Sequence, residues 1–271
     1  MFGGYSLGLK IAVAGKGGVG KTTVAGSLAR LFAREGLSVF AIDADPSMNL
    51  YKALGISHET MNGVTPISEM SDLIEERTGA RPGSLGGVFI LNPKVADIPD
   101  RFKVTGPDGV QLLVMGTITQ PSGGCMCPSN ALVRALLSHL VLKRDEIVIL
   151  DMVAGIEHLG RGTAKAVDAM IIVVEPGARS LDLARRIKEL AEGLGVKKLF
   201  LVANKVSDDE EAQFLRKASG GLGLELIGII PYDREVIKAD LNDTSPMDFA
   251  PESEAMKEIK KIKMRLEREL A

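Results

Sequence analysis

Tryptophan is absent from the 271 residues, there are only two cysteines, and aromatic side chains make up 4% of the chain. Two cysteines cannot build a disulfide framework, and so few aromatics leave no surface on which nucleic-acid bases could stack. Neither sign of charge dominates. The 33 lysines and arginines stand against 35 aspartates and glutamates, for a formal net charge of −2, which argues against nucleic acid as the main ligand. No apolar run reaches the ~18 residues of a membrane span. The start, Met1-Phe2-Gly3-Gly4-Tyr5-Ser6, lacks the charged segment and apolar stretch of a secretory leader. The expectation is a cytoplasmic protein with no stable membrane insertion. What is plentiful is aliphatic: 45% of the residues are hydrophobic, enough to bury a full core.

Those apolar residues fall into short buried-strand runs that alternate with helical spacing. Strands are expected at Leu9 to Ala14, Ser38 to Ile42, Glu146 to Leu150, Ala169 to Val174, Lys198 to Ala203 and Leu224 to Ile230. Helical spacing covers Thr22 to Glu35, Asn130 to Leu142 and Leu181 to Leu194. Strands separated by helices imply an α/β fold with a doubly wound, mostly parallel sheet. Residues 54–120 differ in texture. A helical piece near Ser68 to Thr78 is followed by short strands, Lys103 to Thr105 and Val110 to Met115, around Pro107-Asp108-Gly109. The chain reads as one domain, 1–271, in which 54–120 is an insertion or edge extension.

The most specific signal is Gly15-Lys16-Gly17-Gly18-Val19-Gly20-Lys21-Thr22-Thr23, which fits G-x-x-x-x-G-K-[ST] between a strand and a helix. Glycines let backbone N–H groups curl around phosphate oxygens, Lys21 suits the β and γ phosphates, and the Thr22 hydroxyl suits Mg²⁺. The motif predicts bound ATP or GTP. Asp151 ends an apolar strand, where ligands gather in open α/β sheets, and is expected to reach the metal through a water. Asp43 and Asp45 close another strand at i, i+2 spacing, and one of them is expected to position the attacking water. Asn204 ends a later strand, and its amide carries the donor and acceptor that match adenine's edge. Pro231, after Ile230, is expected to form the other wall of the base pocket.

Cys125-Met126-Cys127-Pro128 precedes a helix whose positive end favours thiolates. Two residues apart is too close for an ordinary structural disulfide, and a cytosolic chain keeps such thiols reduced. A metal ion is the better reading, although two thiolates are half of the four ligands that Zn²⁺ or a soft Ni²⁺ site wants. A two-fold dimer would supply the other half.

With two lysines, Lys16 and Lys21, bracketing its glycines, the loop resembles the deviant phosphate loop of the MinD, ParA and nitrogenase iron protein family. The resemblance implies that Lys16 acts in trans on the partner's nucleotide, that Asp45 orients the attacking water, that Asp43 lies nearer the metal, and that ATP is preferred through Asn204. The cysteine pair and the stretch Asp151-Met152-Val153-Ala154-Gly155-Ile156-Glu157-His158-Leu159-Gly160-Arg161-Gly162 narrow the likeness to the CooC-type nickel-insertion ATPases of carbon monoxide dehydrogenase maturation. The narrower likeness implies an ATP-hydrolysing metallochaperone. Cys125 and Cys127 would hold Ni²⁺ or Zn²⁺ at a homodimer interface, and the client would be a nickel carbon monoxide dehydrogenase. Two other classes compete. A MinD- or ParA-like positioning ATPase would use the amphipathic end helix, Glu254 to Ala271, and an Fe–S carrier or electron-transfer ATPase would use the cysteines. Adjacent cysteines fit a single ion better than a cuboidal cluster.

Overall fold

The computed structural model describes residues 8–84, 88–116, 127–143, 146–152 and 161–270. The chain opens with β1 (Lys10–Gly15), α1 (Lys21–Arg34), β2 (Val39–Ala44), α2 (Leu50–Ala53) and α3 (His58–Met61). Next come α4 (Ser71–Thr78), α5 (Ile98–Phe102), β3 (Val104–Thr105) and β4 (Gln111–Val114), then α6 (Cys127–Lys143), β5 (Ile147–Met152) and α7 (Arg161–Lys165). The remainder is β6 (Ala169–Val174), α8 (Ala178–Leu194), β7 (Lys198–Val206), α9 (Asp209–Leu222), β8 (Glu225–Pro231), α10 (Arg234–Leu241), α11 (Pro246–Phe249) and α12 (Glu254–Leu270).

The strands form one eight-stranded sheet in the order β3-β4-β2-β5-β1-β6-β7-β8. Every neighbouring pair is parallel except β3 and β4. This is the expected doubly wound α/β class. Side chains alternate across the sheet with the period of two that a pleated strand imposes. Ile11 and Val13 of β1 pack into a core with α1 and α12, and Ala12 and Ala14 pack into the opposite core with α6 and α8. Strands buried on both faces have little polar alternation, which is why β1, β5 and β6 are so uniformly apolar.

Two features of the topology matter for function. β5 lies between β1 and β2, so Asp151 sits beside Asp43 on one neighbour and Val13 on the other. From β1 the chain crosses to β2 on one side, and from β5 it later passes over β1 to β6 on the other; that reversal opens a crevice at the C-terminal strand ends.

The amphipathic end helix docks on the sheet. Met256, Ile259, Ile262 and Leu266 of α12 are buried in the α1 core. Its lysines face acids: Lys257 pairs with Glu254, Lys260 with Glu252, Lys261 with Glu258, and Lys263 with Glu35 and Glu267. The apolar stripe is thus covered by the protein itself, and the four lysines of the helix are ion-paired. Among the described residues no helix is long and apolar enough to cross a membrane.

Candidate nucleotide site

Between β1 and α1 the glycines are required by space as well as by dihedral angle. Gly15 has φ 153°, and a Cβ there would lie 2.4 Å from the carbonyl oxygen of Val173. Gly20 has φ 94°, and a Cβ would lie 2.2 Å from Asn204 Nδ2. Gly20 also precedes α1 without a side-chain cap, and the first turn of α1 contains no acid. The free N–H groups of that helix start are therefore available to an anion.

Below the loop, Thr22 Oγ1 donates to Asp151 Oδ2 at 2.6 Å. The other oxygen, Asp151 Oδ1, is buried and has no hydrogen-bond partner. A buried carboxylate oxygen without a partner beside a threonine hydroxyl is the donor set that a hard cation with retained waters requires. The residues present fit Mg²⁺. Asp43 Oδ1 accepts from Asp45 N at 3.1 Å and Asp43 Oδ2 from Leu50 N at 2.9 Å. Both Asp43 oxygens thus hold the turn from β2 into α2. Asp45, the outer of the pair, lies 3.6 Å from the buried Lys21 ammonium.

Burial is the largest influence on both inner acids. It pushes the Asp43 carboxyl up to about 6 and the Asp151 carboxyl up to about 7; hydrogen bonds from Leu50 N and Asp45 N oppose it at Asp43, and the Thr22 hydroxyl opposes it at Asp151. The folded chain therefore keeps protons that the unfolded chain sheds near 3.8. The unfolded state binds fewer protons in that window, so stability falls as pH rises from about 4 to about 7. For ligand-free protein, the thermal midpoint is expected to be lower at about pH 8 than at about pH 5, by on the order of 10 °C. Mg²⁺ with nucleotide should remove most of the difference. Equal midpoints without ligand would contradict the assignment of two strained carboxyls.

A cavity of about 490 Å³ opens beside the loop. The loop, Lys205 and Asp45 form one wall; Lys52, Val236, Ile237 and Asp240 are among the residues of the other. Across its rim Lys52 Nζ bonds Asp243 Oδ1 at 2.8 Å. The far wall is held to α1 by Arg30, which is buried and pairs with Asp108 at 2.7 Å and with Asp248 at 2.5 Å. Asp248 belongs to α11, which carries Pro246 to the cavity.

Of the residues singled out in the sequence, Lys21, Thr22, Asp43, Asp45 and Asp151 come together. Lys16 is half-exposed and bonds Glu175 of its own chain at 3.1 Å. Asn204 is buried beneath the loop, and one N–H of its amide donates to Val19 O at 2.7 Å. Pro231 lines a separate cavity along the β8 edge with Val206 and Arg216 and is not part of the nucleotide cavity. A strand-end proline suited either wall by sequence; the register of β8 on β7 carries it to the edge.

Cys127 is exposed at the first position of α6. A sulfur exposed at a helix entrance sits where the positive helix end favours the thiolate. Cys125 lies outside the described residues, as do 153–160, which include Glu157 and His158. Among the described residues no cluster of three or more His, Cys, Asp or Glu is placed to hold a metal ion. The sequence reading missed Glu175, Lys52, Val236, Ile237 and Asp240, none of which carries a local motif. It also gave no role to Lys205, whose place at a strand end was the available signal.

The parallel sheet, the glycine loop and the Thr22–Asp151 pair define a phosphate-loop ATPase. The chain belongs to the CobQ/CobB/MinD/ParA nucleotide-binding domain family, which matches residues 10–247, and within it to the CooC-type ATPases. It is 48% identical over 243 residues to the carbon monoxide dehydrogenase accessory protein CooC of Rhodospirillum rubrum, covering 90% of this chain and 91% of that one. It is also 48% identical over 256 residues to an uncharacterized ATP-binding protein of Methanocaldococcus jannaschii, covering 94% and 96%. The septum site-determining protein MinD of Pyrococcus horikoshii, solved with Mg-ADP, superimposes with a TM-score of 0.69 over 96% of both chains at 18% identity. At that identity the likeness is one of fold.

Proposed function

We propose that the chain is an ATP-driven metallochaperone that binds Ni²⁺ or Zn²⁺ through Cys125 and Cys127 across a homodimer and assists nickel insertion into a carbon monoxide dehydrogenase. The observation that carries this reading is the identity to CooC along nearly the whole chain, in a protein whose Cys127 stands exposed at a helix entrance.

In this mechanism the N–H groups of the loop and of the α1 start bind the ATP phosphates, and Lys21 neutralises the β and γ oxygens. Thr22 and Asp151 would hold Mg²⁺, which when bound would neutralise charge on those phosphates. Asp43 keeps the β2 turn in shape through Asp45 N and Leu50 N, and Asp45 orients the attacking water. Lys16 leaves Glu175 and reaches the partner's γ phosphate, so closure of the dimer completes both sites. Val236 and Ile237 offer an apolar wall to the base. Two thiolate pairs brought together by the same closure give the four ligands of one metal ion, and hydrolysis opens the dimer to release it.

The test uses reduced, metal-free protein titrated with Ni²⁺ or Zn²⁺. Cys125→Ser, Cys127→Ser and the double variant should each lose stoichiometric metal while ATP hydrolysis remains measurable. A double variant that still holds stoichiometric metal would refute the site. Visible charge-transfer absorption in anaerobically purified wild type would indicate an iron–sulfur carrier instead.

A further inference from the structure

We infer that Lys205 is a positioning residue of the phosphate loop, a clamp that with Asn204 fixes the orientation of two consecutive loop peptides. The inference rests on the nucleotide reading of that loop. Lys205 Nζ donates to Gly18 O at 2.6 Å, and Asn204 Nδ2 donates to Val19 O at 2.7 Å. Two adjacent side chains of one strand thus grip two adjacent carbonyls 187 and 185 positions away. A regular strand forbids this, because neighbouring side chains point to opposite faces.

The backbone supplies the exception. The pairing of β7 with β8 shifts register between Ala203 and Val206, and Lys205 within that shift has φ 59°. An L-residue rarely adopts this left-handed conformation, and it persists only where the surroundings enforce it. A bulge of this kind re-aims a side chain, here toward the loop that Asn204 already touches.

The grip has a consequence for the phosphates. In a trans peptide the C=O and N–H point in opposite directions. Holding the Gly18 and Val19 oxygens against β7 therefore turns the N–H groups of Val19 and Gly20 to the side on which the loop curls. Val19 N meets Lys16 O there, 3.4 Å away, closing the turn. An ammonium has three donors, and Lys205 also lines the nucleotide cavity. The clamp is thus part of the wall against which a nucleotide settles.

Three variants separate the roles. Lys205→Met removes the ammonium and keeps the strained backbone, Lys205→Arg keeps the charge and donors, and Lys205→Gly removes ammonium and strain together. Mg-ATP affinity, steady-state KM and kcat, and the thermal midpoint are measured for each. Met and Gly should weaken Mg-ATP binding by roughly tenfold, mainly through KM, and Arg should restore most of it. The Gly variant should melt higher than the Met variant and yet bind as poorly. Binding that simply follows the thermal midpoint across the series would make the lysine structural and overturn the inference. A Met variant that binds like a binding-competent wild type would also overturn it, whereas a wild type that binds no Mg-ATP would overturn the nucleotide reading itself.

Discussion

Asp151→Asn is expected to lower magnesium-dependent ATP hydrolysis by roughly 10²–10³-fold and, in the ligand-free protein above about pH 7, to raise the melting temperature. The two effects have one cause. Asp151 is fully buried, one of its oxygens has no partner, and burial pushes its carboxyl up to about 7. Without a cation the ionised form is poorly solvated, so an amide of the same shape relieves the fold. With a cation the same charge is what the site needs, and an amide cannot replace it. Phosphate release with and without magnesium, alongside melts of the ligand-free protein, checks both signs. Near wild-type turnover would remove Asp151 from the metal site; a large loss of stability would make it a structural acid.

Lys16→Ala is expected to reduce turnover by about 10³-fold, the scale of a cation supplied in trans to a transferring phosphoryl group, while Mg-ATP binding survives. The Lys16 side chain is 42% exposed and its recorded ion pair is with Glu175, which follows β6. Its ammonium is therefore free to leave without dismantling the loop, whereas Lys21, at 5% exposure beside Asp45, belongs to the interior. Mixing supplies the decisive form of the test. Lys16→Ala chains retain a complete loop but lack the transferable lysine, and Lys21→Ala chains have the opposite defect. An equal mixture should recover turnover that neither variant shows alone. A mixture as inactive as its components would place Lys16 in cis and remove the reason for a closed dimer.

How much of this was legible in the sequence depends on how local each feature is. The strand, loop and helix around Lys21 were readable because glycine spacing and apolar periodicity act over a dozen residues, and the observed β1 and α1 start within a residue of expectation. Asp151 was readable as a strand-end acid. That β5 lies between β1 and β2, and so brings Asp151 to Thr22, is a property of the sheet order. α9 was missed because its buried face is thin, with Leu215, Ser219 and Leu222, although the Asp208 cap and the acidic first turn are helix-start signals. The cavity wall of α10 was missed for a different reason. Val236 and Ile237 look like an ordinary amphipathic helix until the Arg30 cluster anchors the neighbouring α11 against α1. Asn204 shows the limit of residue chemistry alone, since an amide that suits adenine also suits the carbonyl of Val19, and the carbonyl is where it points.

The most direct measurement is the native mass of reduced, metal-free protein with one added equivalent of Ni²⁺ per two chains, recorded with and without ATP. The expected result is a two-chain species carrying one metal ion when ATP is present, predominantly single chains when it is absent, and no metal on the Cys125→Ser, Cys127→Ser double variant. Nucleotide-dependent dimers that carry no metal, or metal retained by the double variant, would contradict the metallochaperone reading and leave an ATPase whose cysteines serve another end.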